Sequence, residues 1–211
     1  MATEILSRNE RNVRAAATRR GRLLAFFTIG WNSLEAVIAI GAGLLAGSIA
    51  LVGFGADSII ESFSGAIILW RLFAGERREK LALRLVGVSL LILAAYVLFD
   101  AVKSLIANER PDESFIGIAL AAASLIIMPV LARAKRGVAT ALDSSAMQAD
   151  SKQTDICAYL SAILLGGLVL NAVFDWWWAD PIAALVMIPI IAKEGIGALK
   201  GETCCDSGDC H

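Results

Sequence analysis

Acidic side chains recur inside the apolar segments of this 211-residue chain, at spacings that place them on shared helix faces. Asp57 and Glu61 lie four residues apart, and because a helix turns by about 400° over four residues, both carboxylates share one face. Asn32 and Glu35 stand three apart in the preceding segment. Carboxylates at bilayer depth are costly, so they need a partner, a water-filled cavity or a function. The pattern indicates a site for a divalent cation, which oxygen ligands hold directly, or for protons.

A second polar cluster begins the fifth apolar segment, where Asp150, Gln153 and Cys157 fall at positions i, i+3 and i+7 of one helix face. A thiolate beside carboxylates suits zinc or another borderline-soft metal. A structural role is the alternative. Cys157 would then be a small core residue and Gln153 a hydrogen-bond partner between helices. The acids of the first two segments would likewise make structural pairs or hydrogen bonds between helices.

The composition places these residues in a membrane. Hydrophobic residues make up 57% of the chain and charged residues only 18%, whereas a soluble domain has about 25% charged residues. One soluble globule of this size could not bury so much apolar surface. Backbone amides in lipid must pair internally, and a spanning helix needs about 20 mostly apolar residues. The sequence therefore predicts an all-α membrane protein with six transmembrane helices in residues 23–197. Their expected ranges are 23–46, 49–73, 82–106, 114–132, 152–174 and 178–197.

Basic residues set the expected orientation. Six arginines lie in residues 1–22, more basic residues follow the second, fourth and sixth segments, and the opposite loops carry few. The positive-inside rule therefore places both termini in the cytoplasm, with the bundle in the inner (plasma) membrane. Residues 1–22 are expected to form a basic cytoplasmic segment, with an amphipathic surface helix as the alternative. The net charge of −1 favours no nucleic-acid partner.

Three motifs occur in order along the chain. Residues 48–52, Ser-Ile-Ala-Leu-Val, lead into Asp57-xxx-Glu61, which resembles the second helix of cation diffusion facilitators with its D-xxx-D motif. The run from Ala149 to Cys157 resembles their fifth helix, A-D-x-x-H-x-x-x-D. Residues 178–185, Trp-Ala-Asp-Pro-Ile-Ala-Ala-Leu, resemble the start of their sixth. The resemblance covers residues 23–197 and implies a cation-efflux-type bundle.

This resemblance implies a secondary transporter in the lipid bilayer. It would export a divalent metal cation, most commonly Zn²⁺, in exchange for protons by alternating access, and it would work as a homodimer. The metal would be cargo, and no prosthetic group is expected. The implied metal site consists of Asp57, Glu61, Gln153 and Cys157, with Asn32, Glu35 and Asp150 nearby.

Three departures from the family pattern leave the metal and the proton coupling open. Glu61 replaces the second aspartate, Gln153 the histidine and Cys157 the aspartate of the fifth helix. His211 is the sole histidine, so no imidazole can carry a proton through the membrane. Proton antiport would need Asp57, Glu61 or Glu35.

The segment 198–211 is expected to be a cytoplasmic cysteine-rich tail. Its Cys204, Cys205, Cys210 and His211 can supply four metal ligands, and the reducing cytosol disfavours disulfides. The family usually has a cytoplasmic domain after the sixth helix, whereas this chain ends at His211, so that domain is expected to be absent. The tail would collect metal near the cytoplasmic mouth, or it would have no role.

The alternative to transport is a metal-binding membrane sensor or partner modulator that moves no ion. An enzyme is not expected, because the chain has no nucleophile–base pair, glycine-rich phosphate loop or zinc-protease motif. Asp180, directly before Pro181, is expected to cap the sixth helix.

Overall fold

The computed structural model describes residues 2–74 and 79–200, and this part of the chain is all helical. The predicted all-α fold class is confirmed. Six helices are present within those ranges: α1 (Ala2–Ala46), α2 (Ile49–Ala74), α3 (Glu79–Ala107), α4 (Phe115–Leu142), α5 (Ser145–Phe174) and α6 (Ala179–Lys200). The first of them continues without a break through the predicted basic segment.

Five of these helices contain stretches that are long and apolar enough to cross a membrane: Val13–Ala46, Ile49–Ile67, Gly87–Ala107, Phe115–Leu142 and Asp150–Phe174. Large apolar side chains face outward on them, and Val37, Leu45 and Ile106 are 74%, 87% and 77% exposed, as suits contact with lipid. Within the described residues α6 does not qualify by the same measure. It includes Lys193 and Glu194 among its 22 residues and packs mainly along α3.

The helices pack in pairs, and α2 contacts most of the other helices. The main packing partners are α1 with α2, α4 with α5, and α3 with α6, while α2 also contacts α3, α5 and α6. Glycines allow the closest approaches. A Cβ atom built on Gly87 of α3 would lie 2.7 Å from the carbonyl oxygen of Gly195 in α6, and one on Gly55 of α2 would lie 3.0 Å from the Cβ of Ala39 in α1. Small residues at such crossings let helix backbones pack directly against each other.

The helices α4 and α5 are longer than predicted at the end where they meet. Only Asp143 and Ser144 separate them. Asp143 adopts a left-handed conformation with φ 50°, and its backbone N–H donates hydrogen bonds to the last carbonyls of α4. The Ser144 side chain accepts a hydrogen bond from the Met147 N–H at the start of α5. These are C-cap and N-cap arrangements. Basic residues 133–136, expected in a loop, therefore lie in α4.

Asp180 differs from its expected role. Its carboxylate accepts from the Ser48 hydroxyl at 2.5 Å and from the Ile49 N–H at 2.9 Å, and the Ala50 N–H lies 3.4 Å away. These donors belong to the start of α2 and the residue before it. The prediction that Asp180 caps α6 was wrong, since the carboxylate serves the unpaired N–H groups at the N-terminus of α2.

Candidate functional site

The three predicted acids of α1 and α2 are buried in the same region of the bundle, close enough to interact electrostatically. Glu35 and Glu61 are 0% exposed and Asp57 is 3% exposed. Glu35 in α1 and Ser58 in α2 lie at similar distances from the short link at Gly47 and Ser48, so the hairpin brings them together. The Ser58 hydroxyl donates to Glu35 Oε2 at 2.8 Å. Asp57 lies about 12 Å along α2 from Ile49, close to half of the ~30 Å hydrocarbon thickness.

Each of these carboxylates keeps a buried oxygen with no hydrogen-bond partner in the described part of the chain: Glu35 Oε1, Asp57 Oδ1 and Glu61 Oε2. The amide nitrogen and oxygen of Asn32, on the same stretch of α1, are also buried without partners there. Asp57 lies within electrostatic reach of both Glu61 and Glu35. Buried polar atoms are normally hydrogen-bonded, and leaving one unpaired costs about 1–3 kcal/mol. Several such atoms in one region are therefore available to a cation or a proton.

The helix α5 contributes Cys157 and Gln153 to the same region. Cys157 is a free thiol that is 1% exposed and lies close enough to Glu61 for the two side chains to interact electrostatically. It also belongs to the apolar core cluster, so both readings of this residue keep support. Gln153 is half-buried, and its Nε2 has no partner among the described residues.

Asp150 pairs with Lys135, a basic residue that follows the predicted fourth segment, 114–132, in the sequence. Lys135 of α4 is 0% exposed, and its Nζ lies 2.8 Å from Asp150 Oδ2 and 2.8 Å from Thr154 Oγ1. The Thr154 hydroxyl in turn lies 2.8 Å from Glu61 Oε1. Lys135 and Thr154 are thus connected to Glu61 of α2, and neither was predicted as a site residue.

Glu194 is a further acid near the site that was not predicted as a site residue. It is a half-buried residue of α6 within electrostatic reach of Asp57 and Glu61. An acid inside the predicted sixth segment was the available signal, but its position near the end of that segment resembled an ordinary flank.

The geometry does not form a closed coordination shell. Within residues 2–74 and 79–200, no three His, Cys, Asp or Glu side chains converge closely enough to hold a metal ion. The tail residues Cys204, Cys205, Cys210 and His211 lie outside the described residues. A cation there would require the side chains of α1, α2 and α5 to move closer together than they lie in this structure.

Comparisons with known proteins agree with the helical bundle. Residues 25–201 match the family model described as the cation efflux transmembrane domain. An uncharacterized transporter of Synechocystis is 25% identical over 179 residues, which cover 79% of this chain and 58% of the relative. A cadmium, cobalt and zinc/H⁺-K⁺ antiporter of Bacillus velezensis is 24% identical over 210 residues, 90% of this chain and 63% of the relative. The chain thus spans about three fifths of the length of these relatives.

Proposed function

This chain belongs to the cation efflux family, also called the cation diffusion facilitators, and from that membership we propose that it is a secondary transporter that exports a divalent metal cation. Zn²⁺ is the proposed cargo and protons are the proposed counter-ions. The observation that carries the proposal is the set of buried carboxylates of Glu35, Asp57 and Glu61, each with an unpartnered oxygen. Acids at this depth mark ion and proton pathways.

The proposed cargo ligands are Asp57 and Glu61 of α2 with Gln153 and Cys157 of α5. Carboxylate oxygens suit many divalent cations, while a thiolate favours zinc, cadmium and similar metals over magnesium or calcium. The Bacillus relative is named for cadmium, cobalt and zinc, which are metals that such a mixed donor set accepts. Asn32 and Glu35 lie alongside and would complete the shell in one of the two access states.

Asp150 takes a different place in this proposal. Its Oδ2 lies 2.8 Å from the Lys135 ammonium. Asp150 therefore pairs with this lysine and is not a metal ligand in the proposal. The expected metal set of α5 is thereby reduced to Gln153 and Cys157.

Charge balance gives the proposed coupling. A divalent cation at Asp57 and Glu61 neutralises two carboxylates, and when it leaves, two protons can neutralise the same groups for the return step. Such a site must hold the ion weakly enough for it to leave.

Orientation and assembly complete the proposal. The excess of basic residues in the N-terminal segment and at the ends of α2 and α4 supports cytoplasmic termini in the plasma membrane. A homodimer is proposed from family membership. The cysteine-rich tail would collect metal at the cytoplasmic mouth.

Zinc flux into vesicles tests the function. Purified protein would be reconstituted with a pH gradient across the vesicle membrane, and the variants D57N and E61Q would be compared with E113Q, whose acid is exposed in the α3–α4 link. We expect D57N and E61Q to reduce flux by about 100-fold or more, as expected for loss of a charged ligand worth about 3 kcal/mol, and E113Q to retain it. Unchanged flux in D57N and E61Q would contradict the proposal.

A further inference from the structure

Lys135 is a buried cation at the edge of the acidic site. It is 0% exposed and ranks among the largest fully buried side chains. A lysine ammonium in a low-dielectric interior requires a partner, and the two acceptors here are Asp150 Oδ2 and Thr154 Oγ1, each 2.8 Å from Nζ. Both acceptors belong to α5, so the lysine joins α4 to the helix that carries Cys157.

Thr154 connects this ammonium to the proposed cargo ligand. Its hydroxyl accepts from Lys135 Nζ and lies 2.8 Å from Glu61 Oε1, to which it can donate. One hydroxyl group therefore separates the lysine from Glu61. Lys135 and Asp150 both lie within electrostatic reach of Glu61.

A second ion pair lies beside the buried one and is more exposed. Arg136 Nη1 lies 2.6 Å from Asp155 Oδ2, with side chains 47% and 26% exposed, whereas Lys135 and Asp150 are 0% and 1% exposed. Both pairs join the same two helices. Burial of an ion pair is a poor source of stability, since its desolvation cost often equals its attraction. The position of Lys135 beside the acids calls for another explanation.

We propose that Lys135 is a tethered cation that competes with the transported metal for Glu61. Asp150 attracts the same ammonium and so weakens this competition. The lysine side chain is flexible and carries three donors, so it can divide its charge between Asp150 and, through Thr154, Glu61. When the site holds no metal, the ammonium shares its charge between Asp150 and, through Thr154, Glu61, alongside the protons of the return step. When a divalent cation binds Glu61, the ammonium pairs with Asp150 alone. The inference rests on the proposed transport function and adds a residue that sets affinity and release.

This arrangement gives the two partners opposite effects. Removing the ammonium removes the competitor, so metal should bind more tightly and leave more slowly. Removing the Asp150 charge directs the ammonium toward Glu61, so metal should bind more weakly. A purely structural ion pair predicts instead that both single variants damage the site in the same way.

Equilibrium binding of Zn²⁺ and of Cd²⁺ to the purified full chain in detergent tests this. We expect K135M to lower Kd about tenfold or more and D150N to raise it about tenfold or more, because each variant changes the net positive charge that acts on Glu61. In the vesicle assay K135M should lower KM and also lower kcat, because release is slowed. In the K135M background the D150N change should have little further effect, since its action passes through the lysine.

Two additional variants keep the test decisive. R136Q/D155N removes the matched exposed pair on the same helices and should leave Kd unchanged. K135M/D150N removes both buried charges together and so avoids leaving one unpaired. If a single variant fails to fold, this double variant should still bind metal more tightly than the original chain.

Different outcomes would contradict the role of Lys135 and the transport function on which it rests. A Kd that changes in the same direction in K135M and D150N, or a K135M/D150N double variant that binds no more tightly than the original chain, would overturn the role of Lys135. If D57N and E61Q still abolish flux in that case, the transport function stands alone. Unchanged flux in D57N and E61Q would instead remove the premise.

Discussion

The Asp180 carboxylate shows how a residue within a recognisable motif can have a purely structural contact. It accepts hydrogen bonds from the Ser48 hydroxyl and the Ile49 N–H at the start of α2, while Asp180 itself sits in the first turn of α6. A negative charge at a helix N-terminus satisfies free N–H groups and complements the helix dipole. Because α2 carries Asp57 and Glu61, this contact fixes the helix that presents the proposed ligands.

Replacing Asp180 should therefore lower stability without removing the metal ligands. We expect D180A to reduce the free energy of unfolding by about 1–3 kcal/mol, because a buried hydrogen-bonded carboxylate is lost and its donors are left unpaired. Thermal unfolding in detergent measures this change, and E113Q in the exposed α3–α4 link serves as the control. The expectation fails if D180A unfolds at the same temperature as the original chain.

Only part of the candidate site could be predicted from residue types. Asp57, Glu61 and Glu35 were identified because acids stand out in apolar segments, and the structure buries all three. Lys135 was missed because a basic residue after an apolar run resembles a loop flank. Its pairing with Asp150 depends on both residues lying at similar distances from the link at Asp143 and Ser144, and that link could be located only once the helix ends were known.

At the scale of elements, the short links determine which residues meet. The α1–α2 hairpin places Ser58 against Glu35, and the α4–α5 hairpin places Thr154 and Asp150 against Lys135. Hydropathy predicted the existence and order of the helices. It placed the end of α4 too early in the sequence and the start of α5 too late. The cause is physical, because polar residues that pair with each other inside a bundle lower the apparent hydropathy of helices that nonetheless continue.

The crossing of α3 and α6 is a second feature that residue patterns did not reveal. The Cβ that an alanine would add at Gly87 lies 2.7 Å from the Gly195 carbonyl oxygen and 2.9 Å from the Leu199 nitrogen, while a Cβ on Gly197 meets nothing within 4 Å. A methyl group at Gly87 must push the two backbones apart. The contact matters for the site because α6 carries Glu194 toward Asp57 and Glu61.

We expect G87A to destabilise the bundle by about 1–3 kcal/mol through overpacking. The matched variant G197A should leave stability unchanged or raise it by up to about 1 kcal/mol, because alanine favours the helix. Thermal unfolding of the two variants in the same detergent makes the comparison. Equal unfolding temperatures for G87A and G197A would show that the crossing tolerates separation.

At the scale of the whole molecule, the low charge content correctly predicted an all-α membrane protein. The excess of apolar residues appears in the structure as outward-facing side chains such as Val37 and Leu45, where a soluble protein would carry polar groups. Composition could not distinguish the sixth helix from the other five. Its Lys193 and Glu194 lie within α6, which packs along α3 instead of presenting a uniformly apolar surface.

Deleting the tail distinguishes a transporter from a metal sensor. If metal passes through the buried acids, a chain shortened to residues 1–202 should keep its flux at saturating Zn²⁺ and lose at most several-fold at low Zn²⁺, since the tail only collects cargo. A sensor centred on the cysteines should lose most of its metal binding. Metal content and vesicle flux of the shortened chain measure the two effects. A full-length chain with Cys204, Cys205 and Cys210 changed to serine distinguishes the effect of losing the thiols from the effect of shortening the chain. Loss of all binding in both variants, with D57N binding metal normally, would favour the sensor, because the affinity would then reside outside the membrane bundle.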